Sequence, residues 1–420
     1  MRLLWLCNIA PSIIYEKITR QSGSGGLWMD HVLSDLRKFG QTIHILCPGS
    51  GVDSGDVDAK CSYATFSERL PHQYLPELEE QFRKEIIGYA PDVIHIWGTE
   101  YGHTLAMVNA CMSLGYIERV AVSIQGLCSV IARHYVEGVP ACVQRSYTFR
   151  DLVRWDNVLQ QQHKFSLRGE LEIMALKKVC HVIGRTDWDE ACTKRINPDV
   201  QYHFCNETLR ETFYQGQWNY NGCKKYRIFA SSCVYPVKGF HYLLEAFTEV
   251  LKTYPDATLA VPGGNPLIHN GINSKLRESF YSKYLAKLIR KYHLEDKVEF
   301  LGHLSAEQMK QAYLDANVFV LPSTIENSPN SLGEAMLLGT PCVAADVGGV
   351  TSMLEHKKEG FVYQSTAPYM LAYYIKQIFS MGDCAQVSSA ARAHALKTHN
   401  AQGNIQQLIK IYRDIESVTT

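Results

Sequence analysis

The chain has 420 residues, 46% hydrophobic and 20% charged, and its 42 basic side chains balance 42 acidic ones. That length supports two or three domains, each large enough to bury a core, and the even charge argues against a dedicated nucleic-acid binder. Thirteen cysteines stand singly, as at Cys7, Cys47, Cys128, Cys233 and Cys342, with no CxxC pair; this argues against a disulfide framework or a zinc site and for a reducing cytoplasm.

The opening "MRLLWLCNIAPSII" is interrupted by Asn8 and Pro11 and reads as a first β-strand, not a signal peptide. Arg2–Cys7, Thr42–Leu46, Val93–Trp97 and Val120–Ile124 are short apolar runs that predict buried strands. Between the first two, Met29, Val32, Leu33 and Leu36 recur at helical spacing, and Gly40 ends the helix. Arg145 to Arg168 carries five basic residues, two acids and the aromatics Tyr147, Phe149, Trp155 and Phe165. Such a stretch fits a basic aromatic helix lying on an anionic bilayer, or a helix packing Leu152, Trp155 and Leu159 on its domain.

Asn206 to Tyr226, rich in Gly, Asn and charge, reads as a hinge-like linker. The pattern then restarts with strand candidates Arg227–Cys233, Ala257–Gly263, Lys297–Gly302, Asn317–Pro322 and Pro341–Val347. Ser305 with Gln308 forms a capping box for one of the intervening helices. Asn404–Val418 is helical in pattern. The alternation predicts an α/β protein of two doubly wound, Rossmann-like domains facing across a cleft: residues 1–210, residues 211–400, and a C-terminal helix at 401–420 packing back toward the first. No segment approaches the ~18 uninterrupted apolar residues of a spanning helix.

Chemistry concentrates in "IENSPNSLGEAMLLGTP", Ile325 to Pro341. Glu326 falls in a loop past a strand end, and Glu334 lies eight residues on, along a helix. Ser328 and Pro329 suggest a serine cap with proline at the first helical position, leaving the following amides to face an anion such as phosphate. On spacing alone, both acids could equally serve the helix N-terminus electrostatically.

The block from Leu321 to Gly349 resembles the E-x(7)-E signature of family 4 retaining glycosyltransferases, which have the GT-B fold. Other pieces fall in family order: "SGSGGLWMDHVLSDL", "PDVIHIWG", "YPVKGFHYLLEAF" and "VEFLGHLSAEQM". The resemblance implies that Glu326 contacts the donor sugar, Glu334 the nucleotide ribose, and Lys238 the diphosphate. It further implies donor contacts at Gly25 and Gly26, at Ser232, at His303, and at Asn330, Ser331 and Leu332. Retention would follow from the leaving diphosphate taking the acceptor's proton, so that the protein's task is positioning and electrostatics.

Two positions depart from the family pattern. Ser232 and Cys233 stand where a Gly-Arg pair usually supplies a second positive charge, and Gln125 replaces a histidine after the central strand of the first domain. Arg185 is the candidate for the missing charge, an ion pair to Asp187 or Asp189 being its structural alternative. Glu100, Gln125 and His134 are candidates to contact the acceptor. The Asp187/Asp189 pair is the one echo of a manganese motif; lysine and helix amides are expected to replace a cation, so no metal or cofactor is expected. The function implied is a metal-independent hexosyl transfer from a nucleoside diphosphate sugar, UDP favoured, to a saccharide or lipid-linked acceptor. Its setting would be polysaccharide or glycoconjugate biosynthesis, in the cytoplasm or at the inner membrane face. The alternatives are a nucleotide-sugar epimerase on the same fold and a non-catalytic GT-B-like binding partner.

Overall fold

A computed structural model describes residues 1–19, 27–51, 53–67, 70, 72–268, 271 and 276–418. The chain divides into two units. The first comprises Met1–Val130, Lys164–Arg210 and His399–Thr420; the second comprises Ile131–His163 and Glu211–Thr398.

In the first unit the apolar runs become strands β1 (Arg2–Cys7), β2 (Thr42–Pro48), β3 (Ser54–Asp58), β4 (Cys61–Phe66), β5 (Val93–Trp97), β6 (Val120–Ser123), β7 (His181–Gly184) and β8 (Gln201–Phe204). They form one sheet in the order β3-β4-β2-β1-β5-β6-β7-β8, parallel except for the β3–β4 hairpin. β1, β5 and β6 are buried along nearly their whole length, as expected for strands covered on both faces. Leu4, Leu6, Ile94 and Ile96 pack one face, while Leu3, Trp5, Val93 and Trp97 pack the other.

That second face is closed by the C-terminal helix Ala401–Val418, which contributes Ile405, Leu408, Ile409, Ile411, Tyr412 and Ile415. Each such side chain, once buried, contributes roughly 1.5–3 kcal/mol. A histidine interrupts the apolar run of β5, and the helix accounts for it. His95 hydrogen-bonds Tyr412 Oη through Nδ1 (2.6 Å) and Ser123 Oγ through Nε2 (2.7 Å), so both ring nitrogens are satisfied out of water.

The second unit is built on β9 (Arg227–Ala230), β10 (Thr258–Val261), β11 (Val298–Phe300), β12 (Val318–Leu321), β13 (Cys342–Asp346) and β14 (Phe361–Gln364). The order is β11-β10-β9-β12-β13-β14, parallel throughout. Strand order reverses between β9 and β12, and that is the place where a doubly wound sheet opens a crevice at its carboxyl edge.

Three expectations change. Residues 131–163, read as part of the first domain, pack in the second unit. Polar anchors hold them there: Glu137 O accepts from His241 Nε2 (3.1 Å), and the Asp151 carboxylate accepts from the Phe280 amide (2.9 Å). The stretch read as one basic aromatic helix is instead three helices, Ala141–Arg145, Phe149–Arg154 and Val158–Leu176, with Leu152 and Trp155 exposed and not packed on a core. The expected linker is largely structured. Phe213 and Trp218 are buried, and Trp218 donates to Ala316 O through Nε1 and to Leu338 O through its amide, both at 2.7 Å. A polar composition concealed two large anchoring side chains.

Burial pushes the His95 pKa down to about 3. Between that value and its ordinary ~6.5, only the unfolded chain takes up this proton. The stabilisation is complete above pH 6.5 and shrinks as pH falls, by roughly 2 kcal/mol at pH 5. His203, lowered to about 4 by burial, adds in the same direction. Urea denaturation at pH 7 and pH 5 should therefore show a marked loss at the lower pH, reduced in His95→Gln. Tyr412→Phe should cost ~1–3 kcal/mol at pH 7 by leaving a buried imidazole nitrogen unpaired.

Candidate functional site

In the second unit, the loops after β9 and β12 converge at the reversal of strand order. β9 leads to a 3-10 turn, Pro236–Lys238, and then to the helix Phe240–Leu251. Gly239 joins turn and helix at φ +64°, and a Cβ there would run into the Pro322 carbonyl beyond β12. Glycine at this place lets the two loops touch. The Thr324 amide donates to Val237 O (2.9 Å) and secures the contact.

Lys238 and Glu326 meet across this junction. Lys238 Nζ lies 2.6 Å from Glu326 Oε1, and Ser323 Oγ donates to the same oxygen at 2.7 Å. The lysine is the more exposed partner at 36%, against 12% for the glutamate. A second glycine, Gly348 at φ +52°, brings the loop after β13 against the Glu326 backbone, and the Gly349 amide donates to Glu326 O at 3.1 Å. Glu326 is thus fixed at main chain and side chain.

The helix Asn330–Leu338 starts just beyond, but one residue later than expected. Pro329 occupies the capping position, with no side-chain cap. Ser328, read as the cap, turns its hydroxyl to Met353 Sδ (3.4 Å). Asn330 is exposed and Ser331 half-buried at the helix mouth, whereas Leu332 is fully buried in the core behind them. Glu334, one turn below Asn330, is buried, and Tyr313 Oη bridges Ser331 O (3.1 Å) and Glu334 Oε2 (3.4 Å).

Among the other positions in this unit, Cys233 points inward: its thiol contacts Pro262 O (3.6 Å), and burial pushes its pKa up to about 12. It compensates no phosphate. Ser232 is half-buried, its hydroxyl 3.5 Å from the Val234 amide. His303 is exposed, next to a Gly263–Gly302 bridge that ties the loops after β10 and β11. His134, expected in the first domain, sits in the second unit. It pairs through Nδ1 with Glu137 (2.9 Å), and its carbonyl accepts from Thr324 Oγ1 (3.0 Å), two residues before Glu326.

The first unit gathers a separate set. Glu100 Oε2 accepts from Asn8 Nδ2 (2.8 Å), and His103 Nε2 bonds Asn8 Oδ1 (2.8 Å). Gly98, at φ +107°, leaves room for the Glu100 carboxylate and the Asn8 amide to meet. Burial raises the Glu100 pKa to about 7. A cavity of about 250 Å³ opens here, lined by Asn8, Trp97, Glu100, Tyr101, Gln125 and Arg168 among others. The buried Arg168 Nε has no hydrogen-bond partner among the described residues.

Arg185 has a partner that the sequence did not suggest. It is 7% exposed, ion-paired with Glu207 (2.6 Å), and donates to Gln125 Oε1 (3.3 Å); Gln125 Nε2 in turn donates to Glu207 Oε1 (2.6 Å). Its charge is spent inside the first unit. Asp189 is also structural: with Thr186 it forms the capping box of the helix Asp187–Ile196. Among the described residues no group of three or more His, Cys, Asp or Glu side chains is arranged to hold a metal. Gly25 and Gly26 lie outside the described residues.

Sequence reasoning missed Glu172. Its carboxylate is almost wholly buried and accepts from Thr99 Oγ1 (2.7 Å), the Cys128 amide (2.9 Å), and the amide and hydroxyl of Ser129 (3.1 and 2.7 Å). It caps the helix Cys128–His134 from 44 residues away, a distance at which no local capping motif could reveal it.

Residues 217–394 match the family model of glycosyl transferases group 1. D-inositol 3-phosphate glycosyltransferase of Corynebacterium urealyticum is 27% identical over 183 residues, 43% of this chain and 41% of its own length. The chain spans less than half the length of the first curated relatives it matches. Among solved structures, sucrose-phosphate synthase from Thermosynechococcus elongatus superposes over 100% of both chains with a TM-score of 0.70 at 16% identity. Anabaena HepE in complex with UDP and glucose superposes over 99% of this chain and 100% of its own, with a TM-score of 0.67 at 17% identity. At those identities the likeness establishes the fold. The family match lies within the second unit, and the two-sheet architecture is that of the GT-B fold.

Proposed function

We propose that the protein is a retaining, metal-independent glycosyltransferase that moves a sugar from a UDP-sugar to a saccharide or lipid-linked acceptor, in polysaccharide or glycoconjugate assembly. The observation that carries this reading is the Lys238–Glu326 pair, held 2.6 Å apart where strand order reverses. Beside it are the uncapped start of the helix Asn330–Leu338 and the buried Glu334. A cation, free helix amides and two carboxylates at one strand edge are the set that a nucleoside diphosphate sugar requires. HepE, bound to UDP and glucose, supports the choice of nucleotide.

The geometry implies an exchange of partners. Without donor, Lys238 neutralises Glu326. An arriving diphosphate competes for the ammonium, and Glu326, still held by Ser323, becomes available to a sugar hydroxyl. As the glycosidic bond to phosphate breaks, Lys238 and the helix amides stabilise the departing diphosphate. The leaving phosphate oxygen takes the acceptor's proton on the same face, which preserves the anomeric configuration. On the first unit, the cavity beside Glu100 is assigned to the acceptor.

Calorimetry with UDP and GDP, without added metal, is the primary test. Micromolar UDP binding is expected, at least tenfold weaker in Glu334→Ala; binding of neither nucleotide would overturn the reading. The exchange of partners separates two further variants. Lys238→Ala should weaken UDP binding by tenfold or more. Glu326→Gln, which frees the lysine, should bind UDP at least as well as the parent while transfer falls ~100-fold or more. The assignment of Glu100 predicts a pH effect. Its carboxylate accepts from a hydroxyl more strongly when ionised, so the acceptor KM should fall as pH rises through about 7. That inflection should vanish in Glu100→Gln; its persistence would assign the titration to another group.

A further inference from the structure

The segment Arg145–Trp155 in the second unit is built inside out. At the helix Phe149–Arg154 and its cap, Thr148, Arg150 and Asp151 are turned inward and consumed. Thr148 and Asp151 form a capping box; Asp151 is fully buried, and its carboxylate also accepts from the Phe280 amide at 2.9 Å. Arg150 binds Asp151 (3.0 Å) and Asp156 (2.9 Å), so the acid within the segment and the one just beyond it are both neutralised. The apolar side chains face outward: Tyr147, Phe149, Leu152, Val153 and Trp155 are between 47% and 73% exposed. Isolated exposed hydrophobics are ordinary, but five within nine residues on a firmly anchored helix form a patch. Trp155, the most exposed, is held at φ +48°, a conformation that bulky residues rarely adopt.

Cations lie beside this patch. Arg145 and Arg154 are exposed at its edges. The helix Phe280–Lys291, against which Ala141–Arg145 packs, exposes Lys283, Lys287, Arg290 and Lys291 and contains no carboxylate. In a chain of zero formal net charge this is a local concentration of cations. Aromatic and aliphatic side chains flanked by lysine and arginine match the boundary of an anionic bilayer, where indole and phenol rings settle at headgroup level. Five apolar side chains are also far fewer than the ~20–30 residues a side of a stable protein–protein interface. Among the described residues no helix is long and apolar enough to cross a membrane, so any contact would be peripheral.

We propose that Tyr147, Phe149, Leu152, Val153 and Trp155, with Arg145 and Arg154 beside them and the cations of Phe280–Lys291 on the adjoining helix, form a docking surface that seats the second unit on an anionic lipid membrane. This surface does not depend on the assigned activity, and its test needs no substrate. The whole protein is floated with vesicles of phosphatidylcholine alone and of phosphatidylcholine with 30 mol% phosphatidylglycerol. Flotation is expected with the anionic vesicles and not the neutral ones, and it should weaken in 1 M NaCl. Phe149→Ser/Trp155→Ser should lower the partition coefficient at least tenfold. Trp155→Gly removes the indole while relieving the left-handed strain, so it should keep the parent's melting temperature and still bind vesicles several-fold more weakly. Arg145→Glu/Arg154→Glu should reduce anionic binding to a similar degree. Failure of the parent to float with anionic vesicles, or unchanged flotation of the Phe149/Trp155 variant, would overturn the proposal. So would sedimentation showing a dimer that the Phe149/Trp155 variant converts to monomer, since the patch would then be a protein interface.

Discussion

The second unit depends on how closely two backbone loops can approach at the ends of β9 and β12. An ammonium and a carboxylate meet at 2.6 Å there because Gly239 admits the Pro322 carbonyl and Gly348 admits that of Glu326. Two left-handed glycines thereby set the position of the charged pair. The acidic partner is the better buried and is fixed at three points, whereas the lysine keeps over a third of its side chain in solvent. The fixed group is suited to reading a sugar's shape, and the freer one to exchanging one anion for another.

Much of the architecture was legible in the sequence because buried parallel strands announce themselves as uninterrupted apolar runs. β1, β5, β6 and β9 to β13 fall within runs identified that way, and β2 extends its run by two residues. The strands that escaped lacked that signal. β3 is "SGDVD" and β14 is "FVYQ", edge strands in which exposed or half-buried positions alternate with better-buried ones. The unit boundary was misplaced at residues 131–163 for a related reason. What assigns that segment to the second unit is a handful of tertiary hydrogen bonds, and those leave no periodicity.

The site divides along the same line. Lys238, Glu326 and Glu334 belong to contiguous strand–loop–helix blocks, whose spacing carries information. Arg185, Glu172 and the Asn8–Glu100 pair are defined by partners 22 to 92 positions away: Glu207, Cys128 and each other. Sequence could nominate Arg185 as a charge but not show that the charge was already matched. Leu152 and Trp155 show a different failure. Their spacing suits a core stripe, yet a buried aspartate on the opposite side reverses which face looks inward.

The first unit is closed by the helix Ala401–Val418, which follows the whole of the second unit in the chain. His95 and Tyr412 are separated by 317 positions, and between them lies the whole of the second unit. During synthesis the sheet of the first unit emerges early, but one apolar face, partly covered by Ile14, Met29, Leu33 and Leu36, must wait for the helix Ala401–Val418 to leave the ribosome. The second unit, whose final segment ends at Thr398, can complete its core before that. The usual order of vectorial folding is thus inverted, and the unit made first is finished last. A nascent chain stalled before that helix emerges would hold a finished second unit tethered to a half-open sheet, the form most exposed to chaperones and proteases.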